Sequence, residues 1–245
     1  MKSEILSARE IRKFEEQINL PDIGIQGQEK FRKARILVIG AGGKGASALQ
    51  ALVAAGIGYI GICDNYPVEE SALPRQCLYG EIDTGKLKAI VARQHLLEKT
   101  KLTEIALHNI CLNEVNIGPI LDDYDIVLDA TDNFGAHYLI SDGAVATGKP
   151  LVFGSVYRST AQVAVFNYAG GPSLRSLFPV VPHSSGEQDK AGIMGIQLLY
   201  ALTGNLMASE SLKIILGSDN ILSGRLLRFN LKDYSCTVET VMSDE

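Results

Sequence analysis

The chain has 245 residues, of which 46% are hydrophobic and 21% charged, and its formal net charge is −5. This composition is that of an ordinary globular protein, and the acidic balance provides no electrostatic footprint for nucleic acid or for an acidic membrane surface. The charged N-terminus lacks the apolar core of a signal peptide and no apolar run is long enough to cross a bilayer, so we expect a cytoplasmic protein with no membrane partner.

Two short helices are predicted at the N-terminus. Residues Ser7 to Glu10 have the pattern of a capping box, and Ile11, Phe14 and Ile18 form an apolar stripe behind it. Pro21 ends this helix, and a second helical segment is predicted over residues 26–33.

A strand, a glycine-rich turn, a helix and a second strand follow over residues 35–64. The turn contains Gly40, Gly42, Gly43 and Gly45, which is typical of a βαβ unit that holds a phosphate at a helix N-terminus. The second strand ends on Asp64, which we expect to accept hydrogen bonds from ribose hydroxyls. By itself this motif fits NAD, FAD or another nucleotide, and it also fits a turn that needs glycine and binds nothing.

The next hundred residues alternate between helices and apolar strands. A loop over residues 65–80 precedes a predicted helix at 86–99, in which Leu87, Ile90, Val91 and Leu97 should face inward. Strands are predicted at 105–110, 125–129 and 150–155, and a helix at 133–147. This order predicts an α/β fold with a Rossmann-like, doubly wound and mostly parallel sheet.

The pattern changes after residue 160. Residues 161–167 alternate like an antiparallel strand, and residues 182–190 are polar, as in an exposed loop. Helices are predicted at 191–202 and 209–216, and two final strands at 226–230 and 236–241 should pair with 161–167. We therefore expect one domain over 1–245, composed of N-terminal helices (7–33), a Rossmann-like core (34–156) and an antiparallel extension (157–245).

The cysteines and histidines show no metal-binding or disulfide pattern. The four cysteines lack any CxxC spacing, and the four histidines lack HxH or HxxxH spacing, so neither a disulfide framework nor a zinc site is predicted. Cys63 and Cys111 lie in or near apolar runs and are expected to be buried thiols.

Several polar residues should meet the glycine turn at the carboxyl edge of the sheet. They are Arg75 and Gln76 in the loop after the second strand, Lys88 in the first turn of the next helix, and Asp132 and Asn133 after the fourth strand. Two cations and a carboxylate beside a phosphate-binding turn suit nucleotidyl transfer, because the cations balance phosphate charge and the carboxylate can hold Mg²⁺.

Each of these residues also has a purely structural interpretation. Arg75 could be a solvated loop charge and Lys88 a surface lysine, although a lysine near a helix N-terminus gains nothing from the helix dipole. Asp132 could simply be the N-cap of the helix that begins at Asn133. Only their joint placement favours a nucleotide site.

The chain resembles the MoeB/ThiF/HesA family, which is related to the ubiquitin-activating enzymes. The resemblance covers nearly the whole chain and is carried by residues 14–45 with the glycine turn, by Arg75-Gln76, by Gly85-Lys86-Leu87-Lys88 and by Thr131-Asp132-Asn133. The combination of these segments is far more specific than a glycine motif alone.

The resemblance implies a function. Members of this family use ATP and Mg²⁺ to adenylate the C-terminal glycine carboxylate of a small ubiquitin-like protein, such as a sulfur carrier, and they usually form homodimers. In these terms Asp64 would hold the ribose, Arg75 and Lys88 the phosphates, and Asp132 the Mg²⁺. The glycines, Gln76 and Asn133 would complete the nucleotide site.

The chain departs from the family pattern at several positions. Glu16 stands where catalytic members have an arginine that reaches the nucleotide of the other subunit, and Tyr66 and Ala72 replace an acid and an asparagine. His137 and Ser141 replace an arginine and an asparagine of the family.

Two further departures concern cysteine. Residues 173–176 (SLRS) replace a zinc-binding CxxC, so no zinc is expected, and 182–190 contain no cysteine. We therefore expect the reaction to stop at the acyl-adenylate. Two alternatives remain: a non-catalytic family member that serves as partner subunit or docking platform, and an NAD-dependent oxidoreductase.

Overall fold

The computed structural model describes residues 5–179 and 196–241. The predicted loop at 182–190 and the start of the predicted helix at 191 lie outside the described residues. Within them the helices are α1 (Ala8–Lys13), α2 (Glu15–Ile18), α3 (Gly24–Lys33), α4 (Gly43–Ala55), α5 (Lys88–Lys99), α6 (Ile117–Asp122), α7 (Phe134–Ala146), α8 (Leu174–Leu177) and α9 (Ile196–Leu216). The strands are β1 (Arg35–Ile39), β2 (Tyr59–Cys63), β3 (Glu104–His108), β4 (Ile126–Asp129), β5 (Leu151–Tyr157), β6 (Thr160–Phe166), β7 (Arg225–Asn230) and β8 (Cys236–Thr240).

All eight strands form one sheet in the order β3-β2-β1-β4-β5-β6-β7-β8. The pairs from β3 to β5 are parallel, and the pairs from β5 to β8 are antiparallel. This confirms the predicted α/β class with its antiparallel extension. One detail of the pairing differs from the prediction that both final strands pair with residues 161–167. Of these two strands, only β7 pairs with β6, and β8 pairs with β7 instead.

Both faces of the parallel part of the sheet are covered by helices, as a parallel sheet requires. In β1, Ile36 and Val38 face a core that includes α4, α5 and α9, whereas Leu37 and Ile39 face a core that includes α6 and α7. This alternation explains why β1 reads as a continuous apolar run: successive side chains point to opposite faces, and both faces are buried.

The capping box at the N-terminus is formed as predicted. The Ser7 hydroxyl accepts from the Glu10 backbone N–H, and the Glu10 carboxylate accepts from the Ser7 backbone N–H. The side chains of Phe14 and Ile18 are buried together with Leu6. The apolar stripe therefore anchors the N-terminal helices to the domain.

The described part of the C-terminal helical region is one helix, α9, where two helices were predicted. Gly204 lies in the middle of α9 and faces α4. A Cβ atom at position 204 would lie 2.1 Å from the Lys44 carbonyl oxygen in α4. Glycine lets the two helices approach closely without interrupting α9.

Three smaller predictions were also wrong. β3 ends at His108, so residues 109–110 lie in the loop that follows it, and α5 begins at Lys88 with Leu87 as its N-cap. Ile90 is exposed on α5, and α6 was not predicted. Among the described residues, no helix combines the length and apolarity that a membrane span requires.

Candidate functional site

A cavity of about 490 Å³ opens at the carboxyl ends of β1, β2 and β4. The sheet order reverses between β1 and β4, and open α/β sheets bind their ligands at such a point. Most of the predicted site residues line this cavity: Gly40, Gly42, Asp64, Arg75, Gln76, Lys88, Asp132 and Asn133. The fold therefore brings most of the predicted residues together around one cavity.

The glycines of the turn have different tasks. Gly40 adopts φ +90°, and a Cβ there would lie 2.9 Å from the Ala130 carbonyl oxygen. A Cβ at Gly45 would lie 1.8 Å from the Gly40 carbonyl oxygen, and one at Gly43 would lie 2.5 Å from the Arg75 carbonyl oxygen. These three glycines allow close packing of backbone segments. They shape the turn, and Gly43 and Gly45 are not among the residues that line the cavity.

Gly42 is different, because it is open toward the cavity. It is the N-cap of α4, and a Cβ there would meet only the Gln76 Nε2 atom, at 3.8 Å. A ligand can therefore approach the backbone of Gly42 and the N-terminus of α4, which is the arrangement that binds phosphate in nucleotide-binding turns.

Asp64 fastens the glycine turn as well as lining the cavity. One carboxylate oxygen accepts from the Ala41 backbone N–H at 2.7 Å, and the other accepts from the Tyr66 backbone N–H at 2.8 Å. Carboxylate oxygens can accept more than one hydrogen bond each, so these contacts leave acceptor capacity for a ribose. The structure thus assigns Asp64 a structural role that the sequence did not reveal, and the ribose role stays a prediction.

Arg75 and Gln76 lie together where the 3₁₀ helix Glu70–Arg75 ends. The Arg75 guanidinium donates to the Ser71 carbonyl at 3.1 Å, and its side chain is half-buried at the cavity wall. Gln76 is buried, and its Oε1 atom has no hydrogen-bond partner among the described residues. Buried polar atoms normally have a hydrogen-bond partner, so an unpartnered one beside a cavity fits a site that binds a polar ligand.

Lys88 is the first residue of α5, and its side chain lines the cavity mouth. Its Nζ atom lies 5.7 Å from the ring centroid of Tyr66, which is 62% exposed. A cation at this end of a helix is opposed by the helix dipole. The lysine therefore does not stabilise the helix, and its position at the cavity is better explained by binding an anion there.

Asp132 and Asn133 follow β4. One of them caps the next helix and the other lies at the cavity, a distinction that the sequence left open. The Asn133 side chain is the N-cap of α7, since its Oδ1 accepts from the Ala136 backbone N–H at 2.7 Å. The interpretation of Asp132 as the cap is therefore wrong. Asp132 lines the cavity with its side chain about half exposed and forms an ion pair with Lys44 at 2.9 Å.

Lys44 was not predicted as a site residue. It lies in the first turn of α4 and is one of the largest fully buried side chains in the described structure. Besides Asp132, its ammonium donates to the carbonyl oxygens of Thr131 and Gly154. The only signal in the sequence was a charged residue inside a glycine turn that is otherwise apolar.

A second polar pair under the cavity was also missed. Asp129, at the end of β4, is completely buried and accepts a hydrogen bond from His137 Nδ1 at 2.6 Å. The backbone N–H and the hydroxyl of Thr131 both donate to the same carboxylate. Burial alone would raise the pKa of Asp129, but His137 and Thr131 hold it below its ordinary value. The pair fixes the backbone from which Thr131 and Asp132 project.

The cysteines differ from each other in exposure. Cys63 is buried, and burial raises the pKa of its thiol to about 12. Cys111, which was expected to be buried, is exposed and lines the cavity. It lies in the segment after β3, which ends at His108, so the expectation that this thiol is buried was wrong.

The segment that replaces the zinc-binding CxxC forms the short helix α8. Ser173 is its N-cap, and the Ser176 hydroxyl accepts from the Ser173 backbone N–H. Arg175 forms a two-pronged ion pair with Asp142, with both contacts at 2.7 Å, and lies over the Tyr138 ring. Among the described residues, no group of three or more histidine, cysteine, aspartate or glutamate side chains could hold a metal ion by itself.

Comparison with known proteins places this site in context. A family model described as the ThiF family matches residues 14–244. The chain is 41% identical over 239 residues to a sulfur carrier protein adenylyltransferase of Thermus thermophilus, covering 95% of this chain and 88% of that protein. It is 38% identical over 245 residues to a probable adenylyltransferase/sulfurtransferase MoeZ of Mycobacterium tuberculosis, covering 98% of this chain but only 62% of MoeZ.

Solved structures with lower identity share the fold. A crystal structure of PaaA superposes with a TM-score of 0.82 at 19% identity, covering 98% of this chain and 76% of that chain. A crystal structure of Escherichia coli MccB with ATP superposes with a TM-score of 0.79 at 18% identity, covering 100% and 74%. With the family model matching nearly the whole sequence and with these relatives, the chain belongs to the ThiF family.

Proposed function

We propose that the protein is an ATP-dependent adenylyltransferase that activates the C-terminal carboxylate of a small ubiquitin-like sulfur carrier protein or peptide. The observation that carries the proposal is the cavity that brings together an open glycine turn, two cations and a carboxylate. The names of the relatives, which are adenylyltransferases of sulfur carriers and of molybdopterin synthase, support this substrate class.

The site residues suit this reaction because it requires positioning and charge balance. A carboxylate is ionised at neutral pH, so its oxygen can attack the α-phosphorus of ATP without a general base. A new bond forms between the carboxylate oxygen and this phosphorus, the bond between the α-phosphorus and the bridging oxygen breaks, and pyrophosphate leaves with the electron pair. Arg75 and Lys88 would hold the phosphates and neutralise the repulsion between two anions.

The polar atoms of the cavity fit the nucleotide in specific places. Backbone N–H groups at the start of α4, beyond Gly42, would face the phosphates, and the Asp64 carboxylate would accept from the ribose. Gln76 and Asn133 would form part of the cavity wall beside the nucleotide.

Asp132 is the residue we propose as a ligand for Mg²⁺. A magnesium ion at a nucleotide site is held by one or two carboxylates together with substrate phosphates and water, so a single cavity carboxylate fits this demand. When bound, Mg²⁺ would supply additional positive charge against the phosphates. The residues that hold Asp132 in place are Lys44 and, through the backbone, Asp129.

We further propose that the reaction stops at the acyl-adenylate. The segment 182–190 contains no cysteine that could form a thioester. The exposed thiol of Cys111 lies on the cavity wall, and it is the thiol that a test of this stopping point must address. A Cys111→Ser variant should produce the same adenylate and pyrophosphate as the unaltered protein, and a reductant-sensitive adduct lost in this variant would contradict the proposal.

The alternative is a non-catalytic member that binds nucleotide and acts as partner subunit or docking platform. It is favoured by Glu16, which is exposed on α2 where catalytic members carry an arginine, and by Ala72, which is buried in the Arg75 loop. The family assignment favours both of these over the oxidoreductase alternative. We also propose a homodimer, which multi-angle light scattering would test directly.

Exchange of labelled pyrophosphate into ATP, with a sulfur carrier ending in Gly-Gly as substrate, separates the two functions. We expect exchange that requires the carrier and disappears in Asp132→Ala. Lys88→Ala should lower it by about 10² to 10³, as for loss of one group that stabilises developing charge. Arg93→Ala is the matched control, because Arg93 is exposed on the same helix outside the cavity. ATP binding without exchange would support the non-catalytic alternative.

A further inference from the structure

Lys44 has a position that a lysine does not occupy without compensation. Its side chain is 1% exposed, and it lies in the first turn of α4, where the positive end of the helix dipole opposes a cation. A buried charge is tolerated only when its hydrogen bonds and its charge are both balanced. The groups that contact the Lys44 ammonium therefore indicate what its charge is for.

Three acceptors surround the Lys44 Nζ atom. They are the Thr131 carbonyl oxygen at 2.7 Å, the Gly154 carbonyl oxygen at 2.9 Å and the Asp132 Oδ1 atom at 2.9 Å. An ammonium has three hydrogens to donate and a neutral amine only two, so this geometry is that of the charged form. The carbonyls belong to β5 and to the turn after β4, and they hold the cation in a fixed place.

The fixed cation lies directly behind a carboxylate that faces the nucleotide cavity. Lys44 itself is not among the residues that line the cavity, but the Asp132 carboxylate it contacts is. The Lys44 ammonium is buried, so its charge is screened less than that of a cation in water, although Asp132 is about half exposed. Lys44 must therefore attract an anionic nucleotide and repel a divalent cation that uses the same carboxylate.

We propose that Lys44 is a built-in cation of the nucleotide site, which shares Asp132 with the divalent metal ion and makes nucleotide binding less dependent on that ion. It acts through Asp132 and is a positioning residue. The inference rests on the proposed function, since it assumes that ATP binds in this cavity.

The test is the factor by which Mn²⁺ tightens binding of the ATP analogue AMPCPP. Calorimetric titration gives the Kd of AMPCPP in EDTA and in Mn²⁺. The ratio of Kd in EDTA to Kd in Mn²⁺ measures how strongly binding depends on the metal ion. In Lys44→Gln, metal-free binding should weaken and the ratio should rise about tenfold or more, because the resident charge is gone. Lys44→Met should behave alike, since it also removes the charge, and in Asp132→Asn the ratio should fall below that of the unaltered protein.

The matched control is Lys86→Gln, which removes an exposed lysine that is paired with Asp83 at 3.6 Å and does not line the cavity. Its ratio should equal that of the unaltered protein. A variant whose site is merely disrupted would lose affinity in both conditions, so a rising ratio is specific to the charge. Unchanged or lower ratios in the Lys44 variants, with native circular dichroism, would overturn the inference.

The unaltered protein provides a test that needs no variant. Its ratio should be small, and tightening by Mn²⁺ of more than about a hundredfold would overturn the inference by itself. If the unaltered protein bound no AMPCPP in either condition, the proposed function would fail and the inference with it. Binding by the Lys44 variants with an unaltered ratio would contradict only the role of Lys44.

Discussion

The buried pair of Asp129 and His137 gives the sharpest prediction for stability. We consider His137→Phe, which keeps a ring of similar size between Phe134 and Phe153 but removes the hydrogen bond to the carboxylate. Asp129 is fully buried, and the variant leaves it with only its Thr131 contacts. Leaving a buried charged group without one of its hydrogen-bond partners costs about 1 to 3 kcal/mol or more, and the complete burial of Asp129 places this case near about 3 kcal/mol.

Chemical denaturation and thermal unfolding measure this change. For a chain of this size, about 3 kcal/mol corresponds to a decrease in Tm of roughly 6 to 12 °C. The control is Asp142→Asn, which breaks the ion pair with Arg175 between two side chains that are about half exposed, and it should cost less than about 1 kcal/mol. If His137→Phe changed stability no more than Asp142→Asn, the assignment of Asp129 as a buried, partner-dependent charge would be refuted.

The pH dependence of stability has a definite sign for the same pair. The pKa of Asp129 is lower in the folded protein than its ordinary value, so the folded state binds fewer protons at this carboxyl than the unfolded chain does. Its stabilising contribution is fully present above the unfolded pKa of about 4 and is lost as the pH falls through the lower folded value. The difference in stability between the unaltered protein and Asp129→Asn should therefore shrink as the pH is lowered below about 4.

Two further predictions follow from packing and exposure. Gly45→Ala should destabilise the protein by at least about 3 kcal/mol, because the new Cβ would lie 1.8 Å from a backbone oxygen. Gly80→Ala is the control, because the space around its Cβ is open, and in urea unfolding its stability should change by no more than about 0.5 kcal/mol. Equal effects at both positions would contradict the packing assigned to the turn. Iodoacetamide should alkylate Cys111 and leave Cys63 unmodified, and saturating ATP should slow the reaction at Cys111, as followed by mass spectrometry. An alkylation rate at Cys111 that ATP does not change would argue that the nucleotide lies away from this wall.

Local sequence determined most of the fold and most of the residues that line the cavity. Apolar runs of four to five residues became strands because both faces of the parallel sheet are buried, and the capping box at Ser7 formed because its bonds are local. The carboxyl ends of parallel strands meet at one edge of a sheet, so the order of elements along the chain was enough to place Gly40, Asp64 and Asp132 together.

What the sequence could not decide depends on contacts between residues far apart in the chain. The two helices predicted near the C-terminus are one helix in the described residues, and at Gly204 this helix approaches the backbone of α4, a contact between segments about 160 positions apart. Lys44 reads as a charge in a phosphate turn, and only the positions of Gly154 and Asp132, which lie far downstream, show that it is buried and paired. A local pattern can specify that a side chain is charged, whereas the tertiary structure decides which distant acceptor balances it, because that balance depends on distance and burial in the folded protein.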